Sequence, residues 1–438
     1  MKVIKFGSSA VADAQKIKSV AQLAIARKGN SDIIVMSSVK GTTDTLREIA
    51  DYMYKKNTDG AKELINTLER DYLNLCRELF GAGVSLAHIS LVLRSHFDQM
   101  RSLSQDIFTL FEEKSIVAQG DILATMIFTE YVKSLGINVA YIPALDFIKI
   151  DKNEEPDMAF IKKNISESLR NSENADFYTT EGFICRNAYG EIDNLKQGGS
   201  DITASLIGAA VGAEEVQIWS DKNAICNIDS QIVSGAKTVQ KLNFEEAAEL
   251  AYFSTKALHP TCLTPAKLQN IPVRLMNINE PEACGTLIST DYEPNKIEVV
   301  AAKDGITSIR IKSGRMLFAH GFLRRVFEVF EQYKTSIDMI TTSEVGVAIT
   351  IDDNKCLDEI VDILKRFGTV TVNNNMSIIC AVGDLSDKNV DLRAQFLKSL
   401  EDVTVAMISY GASDNNFSVL VPTAEKNSAL QKLAKALF

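Results

Sequence analysis

The sequence has 438 residues, of which 46% are apolar and 24% are charged. These values are average for globular proteins and exclude fibrous and largely disordered classes, while the length predicts about two to four domains. The formal net charge of −10 and the scattered basic residues disfavour a nucleic-acid-binding surface, so no nucleic-acid partner is expected.

The N-terminal part of the chain alternates predicted strands with predicted helices. Strands are expected at 2–6, 32–36, 138–142, 177–182 and 215–219. Helices are expected at 13–27, across most of 44–135, and at 206–212. Such alternation predicts an α/β fold, with a parallel or mixed sheet that helices cover on both faces.

The segment 279–295 is polar and contains two prolines, which is typical of a linker, and we place a domain boundary near residue 290. Beyond it the predicted order is β-α-β-β-α-β, with elements at 306–311, 321–333, 336–341, 345–351, 357–367 and 369–372. The same order recurs from 377 to 438. This recurrence predicts two ferredoxin-like units, at 305–373 and 376–438, the second of which a strand from 296–304 can complete. Two unrelated α/β stretches are the alternative.

The cysteines number seven, are far apart and contain no CxxC pair, which is typical of a reducing compartment. The N-terminal apolar run is interrupted by Lys5 and Gly7, and no window approaches about 18 uninterrupted apolar residues. We therefore expect a cytoplasmic protein with no membrane partner.

Several loops at the ends of predicted strands carry polar and small residues. Lys5 ends the first strand beside the small-residue turn at Gly7, whose N–H groups precede a helix and suit a phosphate. The stretch 37–44 offers hydroxyl groups, and the stretch 197–201 ends in Asp201 before an apolar helix. Placed opposite Lys5, Asp201 would hold the lysine or help to bind a nucleotide-associated metal. Helix caps and solvated turns are the alternative for each loop.

Two weaker stretches follow further along the chain, at 219–221 and 256–260. His259 stands next to a proline and is expected to be a turn residue rather than a general base. The motif GxxxxGK followed by Ser or Thr does not occur, so P-loop chemistry is disfavoured.

In this order and spacing, the five stretches resemble the aspartokinase branch of the amino acid kinase family. The most specific part runs from 180 to 286 and contains EGF, GGSD, GAEEVQIWSD, LNFEEAAELAYFSTKALHP, IPVRLMN and GT. The resemblance implies a three-layer αβα, carbamate-kinase-like domain over 1–290, followed by two ACT domains. It also implies transfer of the γ-phosphoryl group of ATP, with Mg²⁺, to the side-chain carboxylate of L-aspartate, the first step of lysine, threonine and methionine biosynthesis.

The resemblance assigns roles to individual residues. Lys5 would contact the transferring phosphoryl group and Asp201 would orient it. The aspartate pocket would comprise Ser37, Thr43, Asp121, Gln197 and Gly199. ATP would be bound by Gly7, Ser220, Asp221 and Lys256, and no protein metal site is assigned. Because the nucleophile is already an ionised carboxylate, catalysis is expected from positioning and charge neutralisation.

Several residues depart from the family pattern. The pocket glutamate is Asp121, and the arginine that precedes Gly-Gly-Ser-Asp in the family is Gln197. A bidentate pair with the substrate carboxylate is then lost, at a cost of ~1.5 to 3 kcal/mol, unless Lys196 or Arg186 reaches into the pocket.

The opening loop and the nucleotide side depart as well. The family sequence Lys-Phe-Gly-Gly-Thr-Ser is replaced by KFGSSA, and Cys226 and Gln231 stand in place of a tyrosine and an arginine. We expect aspartate kinase activity. The alternative is a catalytically weakened paralogue that acts as a regulatory or effector-binding subunit, and a kinase with another carboxylate acceptor is a third hypothesis.

The stretch 316–345 resembles lysine-inhibited aspartokinases. Asp338 would hold an ammonium group of an amino-acid effector, and the helix start at Gly321 would hold its carboxylate. By resemblance the effector site comprises Met316, Gly321, Phe322, Leu323, Ser336, Ile337 and Asp338. Lysine is the expected effector, and a homodimer or homotetramer through the ACT domains is the expected assembly. A solvated edge position is the alternative for Asp338.

Overall fold

The computed structural model describes residues 1–27, 29–103, 108–172, 175–196, 198–221, 224–253, 260–292, 296–314, 320–386 and 389–438. Its strands are, in chain order, β1 Val3–Phe6, β2 Asp32–Met36, β3 Val139–Tyr141, β4 Phe177–Glu181, β5 Ile184–Arg186, β6 Ile192–Asn194, β7 Val216–Ser220, β8 Lys241–Leu242, β9 Val273–Asn277, β10 Thr286–Ile288, β11 Ile297–Lys312, β12 Ile340–Ser343, β13 Gly346–Ile351, β14 Thr369–Gly383, β15 Met407–Tyr410 and β16 Asn416–Pro422.

The helices are, in chain order, α1 Ala14–Ile25, α2 Thr42–Tyr54, α3 Thr58–Phe80, α4 Val84–Leu103, α5 Leu110–Ser134, α6 Ala144–Phe147, α7 Met158–Asn171, α8 Gly199–Val211, α9 Phe244–Phe253, α10 Pro260–Leu268, α11 Phe322–Gln332, α12 Leu357–Leu364, α13 Val390–Lys398 and α14 Thr423–Leu437. A short 3₁₀ helix at Ser8–Val11 follows β1. In the part of the chain that the structure describes, no helix is both long enough and apolar enough to cross a membrane.

The chain divides into two compact units. The first comprises Met1–Ile225 and Thr255–Tyr292, and the second comprises Cys226–Ser254 and Glu293–Phe438. This division differs from the predicted continuous domain over 1–290, because the segment with β8 and α9 belongs to the second unit. The predicted linker also contains β10, which pairs antiparallel with β9.

The first unit is built on a sheet whose strands follow the order β3-β4-β2-β1-β7-β9-β10. Apart from β9 with β10, the neighbouring strands run parallel. β1 lies between β2 and β7, and all four of its residues are buried, Lys5 included. Burial on both faces explains why β1 and β2 are almost continuously apolar in sequence.

Helices cover both faces of this sheet. Ile4 and Phe6 belong to a core that they share with α1 to α5. The opposite face carries α8, which in turn packs against α7 and α10. Gly208 allows α8 to approach β7 closely, because a Cβ at this position would lie 2.4 Å from a methyl group of Val216. The predicted three-layer αβα arrangement is confirmed.

Because side chains alternate across a strand, Lys5 lies on the face of β1 opposite to Ile4 and Phe6. That face is the one that carries α8. The alternation of side chains along β1 therefore directs the Lys5 ammonium group toward the first turn of α8.

The second unit contains an antiparallel sheet with the order β12-β13-β11-β14-β16-β15. Residues 307–312 of β11 pair with β13, and residues 306–312 pair with the first half of β14. Residues 297–303 pair with 378–383 of β14. Helices α11 and α12 pack on one core and α13 and α14 on another. The two predicted ferredoxin-like halves are confirmed as a fold, and they share β11 and β14.

In the second half, α14 ends at Leu437, and a segment from earlier in the chain takes the place of the closing strand. Residues 297–303 of β11 occupy that place in its sheet. Strand β12 begins at Ile340 rather than at the predicted 336, although the Asp338 N–H still donates to the Thr350 carbonyl oxygen at 2.9 Å.

Candidate active site

The carboxyl ends of β1, β2 and β4 meet at one cavity of about 230 Å³, which lies where open α/β sheets bind their ligands. Its lining includes six residues predicted from the sequence: Lys5, Ser37, Thr43, Asp121, Gly199 and Asp201. Six further lining residues have no predicted binding or catalytic role: Ser8, Ser38, Arg47, Phe183, Gly198 and Ser200. Residues that are far apart in the chain thus converge because parallel strands end at the same edge.

Lys5 and Asp201 form an ion pair at one side of the cavity. The Lys5 Nζ lies 2.6 Å from the Asp201 Oδ1, and the two side chains are 11% and 14% exposed. Asp201 stands in the first turn of α8, after the N-cap Gly198. The first N–H groups of a helix have no intrahelical acceptor and favour anions. A cation and a helix N-terminus therefore face the same space.

Gly199 and Phe183 form the adjoining wall. A Cβ at Gly199 would lie 2.5 Å from a ring carbon of Phe183, so the contact requires glycine. Phe183 has a φ of 67°, which is unfavourable for a bulky residue. Its N–H donates to the Thr203 Oγ1 at 3.0 Å, and its carbonyl oxygen accepts from the Leu195 N–H at 2.7 Å. Surrounding hydrogen bonds hold this strained backbone, a pattern that is common at functional sites.

The opposite wall is formed by hydroxyl groups and a buried carboxyl group. The Ser38 N–H donates to the Asp121 Oδ1 at 3.1 Å, and the Ser38 Oγ and Thr43 Oγ1 share a hydrogen bond at 2.7 Å. Ser37 is buried beside them, and its N–H donates to the Phe6 carbonyl oxygen at 3.2 Å.

Asp121 lies on α5 and is 2% exposed. Burial raises the pKa of its carboxyl group well above the usual value, while the hydrogen bond from the Ser38 N–H lowers it, Glu181 raises it and Lys5 lowers it. A cation placed beside a buried carboxyl group stabilises the ionised form of that group. Asp121 is therefore suited to bind an ammonium group.

A second group of predicted residues lies where β1 and β7 end. The Gly7 N–H donates to the Trp219 carbonyl oxygen at 3.0 Å, and the Asp221 N–H donates to the Ser9 Oγ at 3.3 Å. Ser220 accepts a hydrogen bond from the Ile278 N–H at 2.9 Å. The structure thus brings Gly7, Ser220 and Asp221 to one edge next to Lys5, and Ser9 helps to hold them.

Three predicted site residues, Gln197, Lys256 and Met316, lie outside the described residues, as does His259. The two cations considered as replacements at position 197 are engaged elsewhere. The Arg186 guanidinium donates to the carbonyl oxygens of Leu145 and Gly190 at 2.9 and 2.7 Å. Lys196 pairs with Glu154 at 3.5 Å. Neither side chain belongs to the cavity lining, as far as the structure describes it.

Arg47 lines the cavity and was not among the residues predicted from the sequence. It follows Thr43 by four residues on α2 and so lies on the same helix face. That spacing was the signal that could have identified it.

The predicted effector residues belong to the second unit. Gly321 is the N-cap of α11, with a φ of 79°. Phe322 is buried in the core of the first ferredoxin-like half, and Leu323 and Ile337 pack against that core. Ser336 is exposed. The side chains of Phe322, Leu323 and Ile337 are therefore used at least in part for packing.

Asp338 differs from its neighbours because one of its carboxylate oxygens is buried. Among the described residues, the Asp338 Oδ2 has no hydrogen-bond partner. Burial raises the pKa of Asp338 to about 6, the Tyr252 hydroxyl lowers it, Asp352 raises it and Lys303 lowers it. Lys303 lies 3.8 Å from the Tyr252 ring centroid and 2.7 Å from Asp352. An acceptor atom thus remains available beside a polar cluster.

Comparison with known families agrees with this architecture. The amino acid kinase family model matches residues 1–277, and an ACT domain model matches residues 379–437. The first match covers more than half of the chain, and the chain belongs to the amino acid kinase family.

Individual relatives indicate the branch of the family that the chain resembles. The whole chain is 32% identical to aspartokinase 3, chloroplastic, of Arabidopsis thaliana and covers 81% of that protein. It is 29% identical to lysine-sensitive aspartokinase 3 of Escherichia coli, of which it covers 99%. The solved structure of E. coli aspartokinase III in complex with lysine and aspartate matches with a TM-score of 0.87 and 27% identity, over 100% of this chain and 99% of that chain. The resemblance to the aspartokinase branch is therefore confirmed.

Proposed function

We propose that the protein transfers the γ-phosphoryl group of ATP to the side-chain carboxylate of L-aspartate and so starts lysine, threonine and methionine biosynthesis. The observation that carries the proposal is the cavity itself, in which the Lys5–Asp201 ion pair faces the buried Asp121 carboxyl group. One wall suits a phosphoryl group and the other suits an amino acid. Membership of the aspartokinase branch supports the same pair of substrates.

In the proposed reaction, a carboxylate oxygen of aspartate forms a bond to the γ-phosphorus. The bond between that phosphorus and the β,γ-bridging oxygen breaks, and ADP leaves with the electron pair. No proton is transferred, because the aspartate side chain is already ionised at neutral pH. Lys5 and the first N–H groups of α8 neutralise the negative charge on the moving group, and Asp201 holds the Lys5 ammonium in place.

The acceptor amino acid would lie against the wall opposite Lys5. Its ammonium group pairs with Asp121, and its carboxylates accept hydrogen bonds from the hydroxyl groups of Ser37, Ser38 and Thr43. The tight contact between Gly199 and Phe183 keeps the backbone of α8 close to the reacting carboxylate.

Magnesium would accompany the nucleotide. Among the described residues, no group of three or more His, Cys, Asp or Glu side chains could hold a metal ion. Mg²⁺ binds mainly to phosphate oxygens and water with one or two protein carboxylates, and Asp201, on the phosphoryl side of the cavity, would be the carboxylate that contacts it. The ion would supply charge neutralisation on the phosphates.

The test is to incubate the purified protein with ATP, Mg²⁺, L-aspartate and hydroxylamine. We expect aspartyl hydroxamate to form together with an equal amount of ADP. Absence of hydroxamate, with an increase in melting temperature on adding lysine, would favour the regulatory paralogue. Hydroxamate formation from another carboxylic acid but not from aspartate would favour a different acceptor.

We also propose that lysine is the effector and that one of its ammonium groups binds Asp338. The buried Oδ2 of Asp338 supports this proposal, because a buried acceptor without a donor stabilises an incoming ammonium group. The relative in E. coli is named lysine-sensitive, and one of its solved structures contains lysine. A homodimer or homotetramer through the ACT domains and a cytoplasmic location belong to the same proposal, and light scattering would measure the assembly.

A further inference from the structure

The charges in the active-site cavity leave one cation without a role in the proposed reaction. Among the described lining residues, the cations are Lys5 and Arg47. Lys5 is already paired with Asp201 at 2.6 Å and serves the phosphoryl side. Aspartate carries two carboxylates and one ammonium group, so the carboxylate that does not react still requires a cation. At position 197 the sequence has the neutral residue Gln.

Arg47 is placed to supply that cation. Thr43 and Arg47 are one helical turn apart on α2 and both line the cavity. The Thr43 hydroxyl in turn contacts the Ser38 hydroxyl, beside the Asp121 carboxyl group. The guanidinium group is therefore anchored on the wall that suits the amino acid, not on the phosphoryl side.

The guanidinium group is also available for a ligand. Among the described residues it contacts Asp44, where the Nη1–Oδ1 distance is 3.8 Å and the side chains are 59% and 88% exposed. An ion pair so long and so exposed contributes little to stability. A carboxylate that entered the cavity would form shorter, bidentate hydrogen bonds with the same group.

We propose that Arg47 is a specificity-determining residue, whose guanidinium group binds the α-carboxylate of the acceptor amino acid. The inference rests on the proposed function, since it takes aspartate as the acceptor. It predicts that the protein distinguishes aspartate from β-alanine, which has the same amino and reactive carboxyl groups but no α-carboxylate.

The first test is steady-state kinetics on wild type, Arg47→Gln and Arg47→Lys. We expect Arg47→Gln to raise the KM for aspartate by about ten- to a hundredfold, the range for loss of a charged hydrogen-bonded pair. The KM for ATP and the kcat should change less than the KM for aspartate, and Arg47→Lys should restore part of the affinity. Arg70→Gln is the matched control, because Arg70 is 68% exposed and forms a similarly long contact with Asp71. An unchanged KM in Arg47→Gln, or an equal rise in Arg70→Gln, would overturn the proposal.

The second test separates this inference from the proposed function. Calorimetric titration with aspartate and with β-alanine measures binding whether or not turnover occurs. Arg47→Gln should weaken aspartate binding by the same factor and leave β-alanine binding as in wild type. If wild type forms no hydroxamate yet shows this pattern, the proposed reaction is wrong and the role of Arg47 stands. Equal aspartate affinities in the two proteins, or no aspartate binding by wild type, would refute the role of Arg47.

Discussion

Lys5 shows how a strand can hold a charged group inside a folded protein. Its neighbours in β1 are apolar and buried on both faces, yet its ammonium group meets Asp201 at 2.6 Å. Removing one partner of a buried ion pair leaves an unpaired charge, which costs about 3 to 5 kcal/mol. The pair is therefore sensitive to single substitutions for structural reasons, and in the proposed reaction for catalytic reasons as well.

Double substitution separates these two contributions. Lys5→Ala and Asp201→Ala should each lower the melting temperature, because each leaves a buried charge. The double variant should be more stable than either single variant, and all three should lose about a hundredfold or more in kcat, as expected when a group that stabilises the transition state is removed. Hydroxamate formation and thermal melting measure the two effects. A double variant with wild-type activity would contradict the catalytic assignment.

The sequence identified only part of this site. Lys5 and Asp201 could be found because each stands where a strand ends or a helix begins, and such positions meet at one edge of a parallel sheet. Arg47 lies inside a helix, where no strand end or helix start marks it, so its four-residue spacing from Thr43 was the signal in the sequence. Phe183 was missed because its positive φ depends on tertiary contacts with Thr203 and Leu195.

Helix α9 begins with a reciprocal pair of hydrogen bonds. The Asn243 N–H donates to the Glu246 Oε2 at 2.9 Å, and the Glu246 N–H donates to the Asn243 Oδ1 at 2.8 Å. This arrangement corresponds to a capping box. Glu246 is fully buried, and its Oε1 has no hydrogen-bond partner within the described ranges. The helix cap therefore requires burial of the Glu246 carboxyl group, which destabilises the fold.

Replacement of Glu246 by Gln tests that cost. Burial raises the pKa of Glu246 to about 7, the Asn243 N–H lowers it, and Glu298 and Asp384 raise it. The pKa of Glu246 is higher in the folded protein than in the unfolded chain. The contribution of this group to folding stability is therefore fully present below about pH 4.5 and is lost as the pH rises through 7. Glu246→Gln keeps an acceptor for the Asn243 N–H, so its melting temperature should exceed that of wild type at pH 8 and match it near pH 5. Glu401→Gln, at an exposed position of the same unit, is the control. A gain of equal size at both pH values would show that ionisation of Glu246 is not the cause.

The observed lengths of two strands differ from what the sequence predicts. The predicted strand at 306–311 is the second half of β11, which runs from Ile297 to Lys312. The polar residues at 303–305 interrupt the apolar pattern, but a register shift between Lys303 and Ile306 accommodates them within a continuous strand. β10 was missed because it has only three residues and exists through its pairing with β9.

If lysine is the effector, as proposed above, its inhibition of the protein should depend on pH. In the proposed effector site, an ammonium group would pair with the ionised form of Asp338, and burial raises the pKa of this residue to about 6. Protonation therefore competes with the effector. The lysine concentration that gives half-maximal inhibition should rise between pH 7.5 and pH 5.5 by a few fold, since each unit below a pKa costs about a factor of ten in the ionised fraction.

Inhibition curves at the two pH values measure this effect, and the melting temperature shift caused by lysine provides a second readout. Asp338→Asn should weaken inhibition at both pH values and remove the dependence on pH. Identical inhibition of wild type at pH 5.5 and pH 7.5 would show that Asp338 is not the group that binds the ammonium.

The strands β11 and β14 make the two ferredoxin-like halves inseparable. A chain cut near residue 373 would keep residues 297–303 but lose the 378–383 segment to which they bond. Residues 297–303 would then form an exposed apolar edge strand, which includes Val299 and Val300, both buried in the complete fold. Gene fusions, truncations and proteolytic cuts at that point would therefore produce fragments that aggregate rather than one functional half. The two ferredoxin-like halves can be transferred between proteins only together.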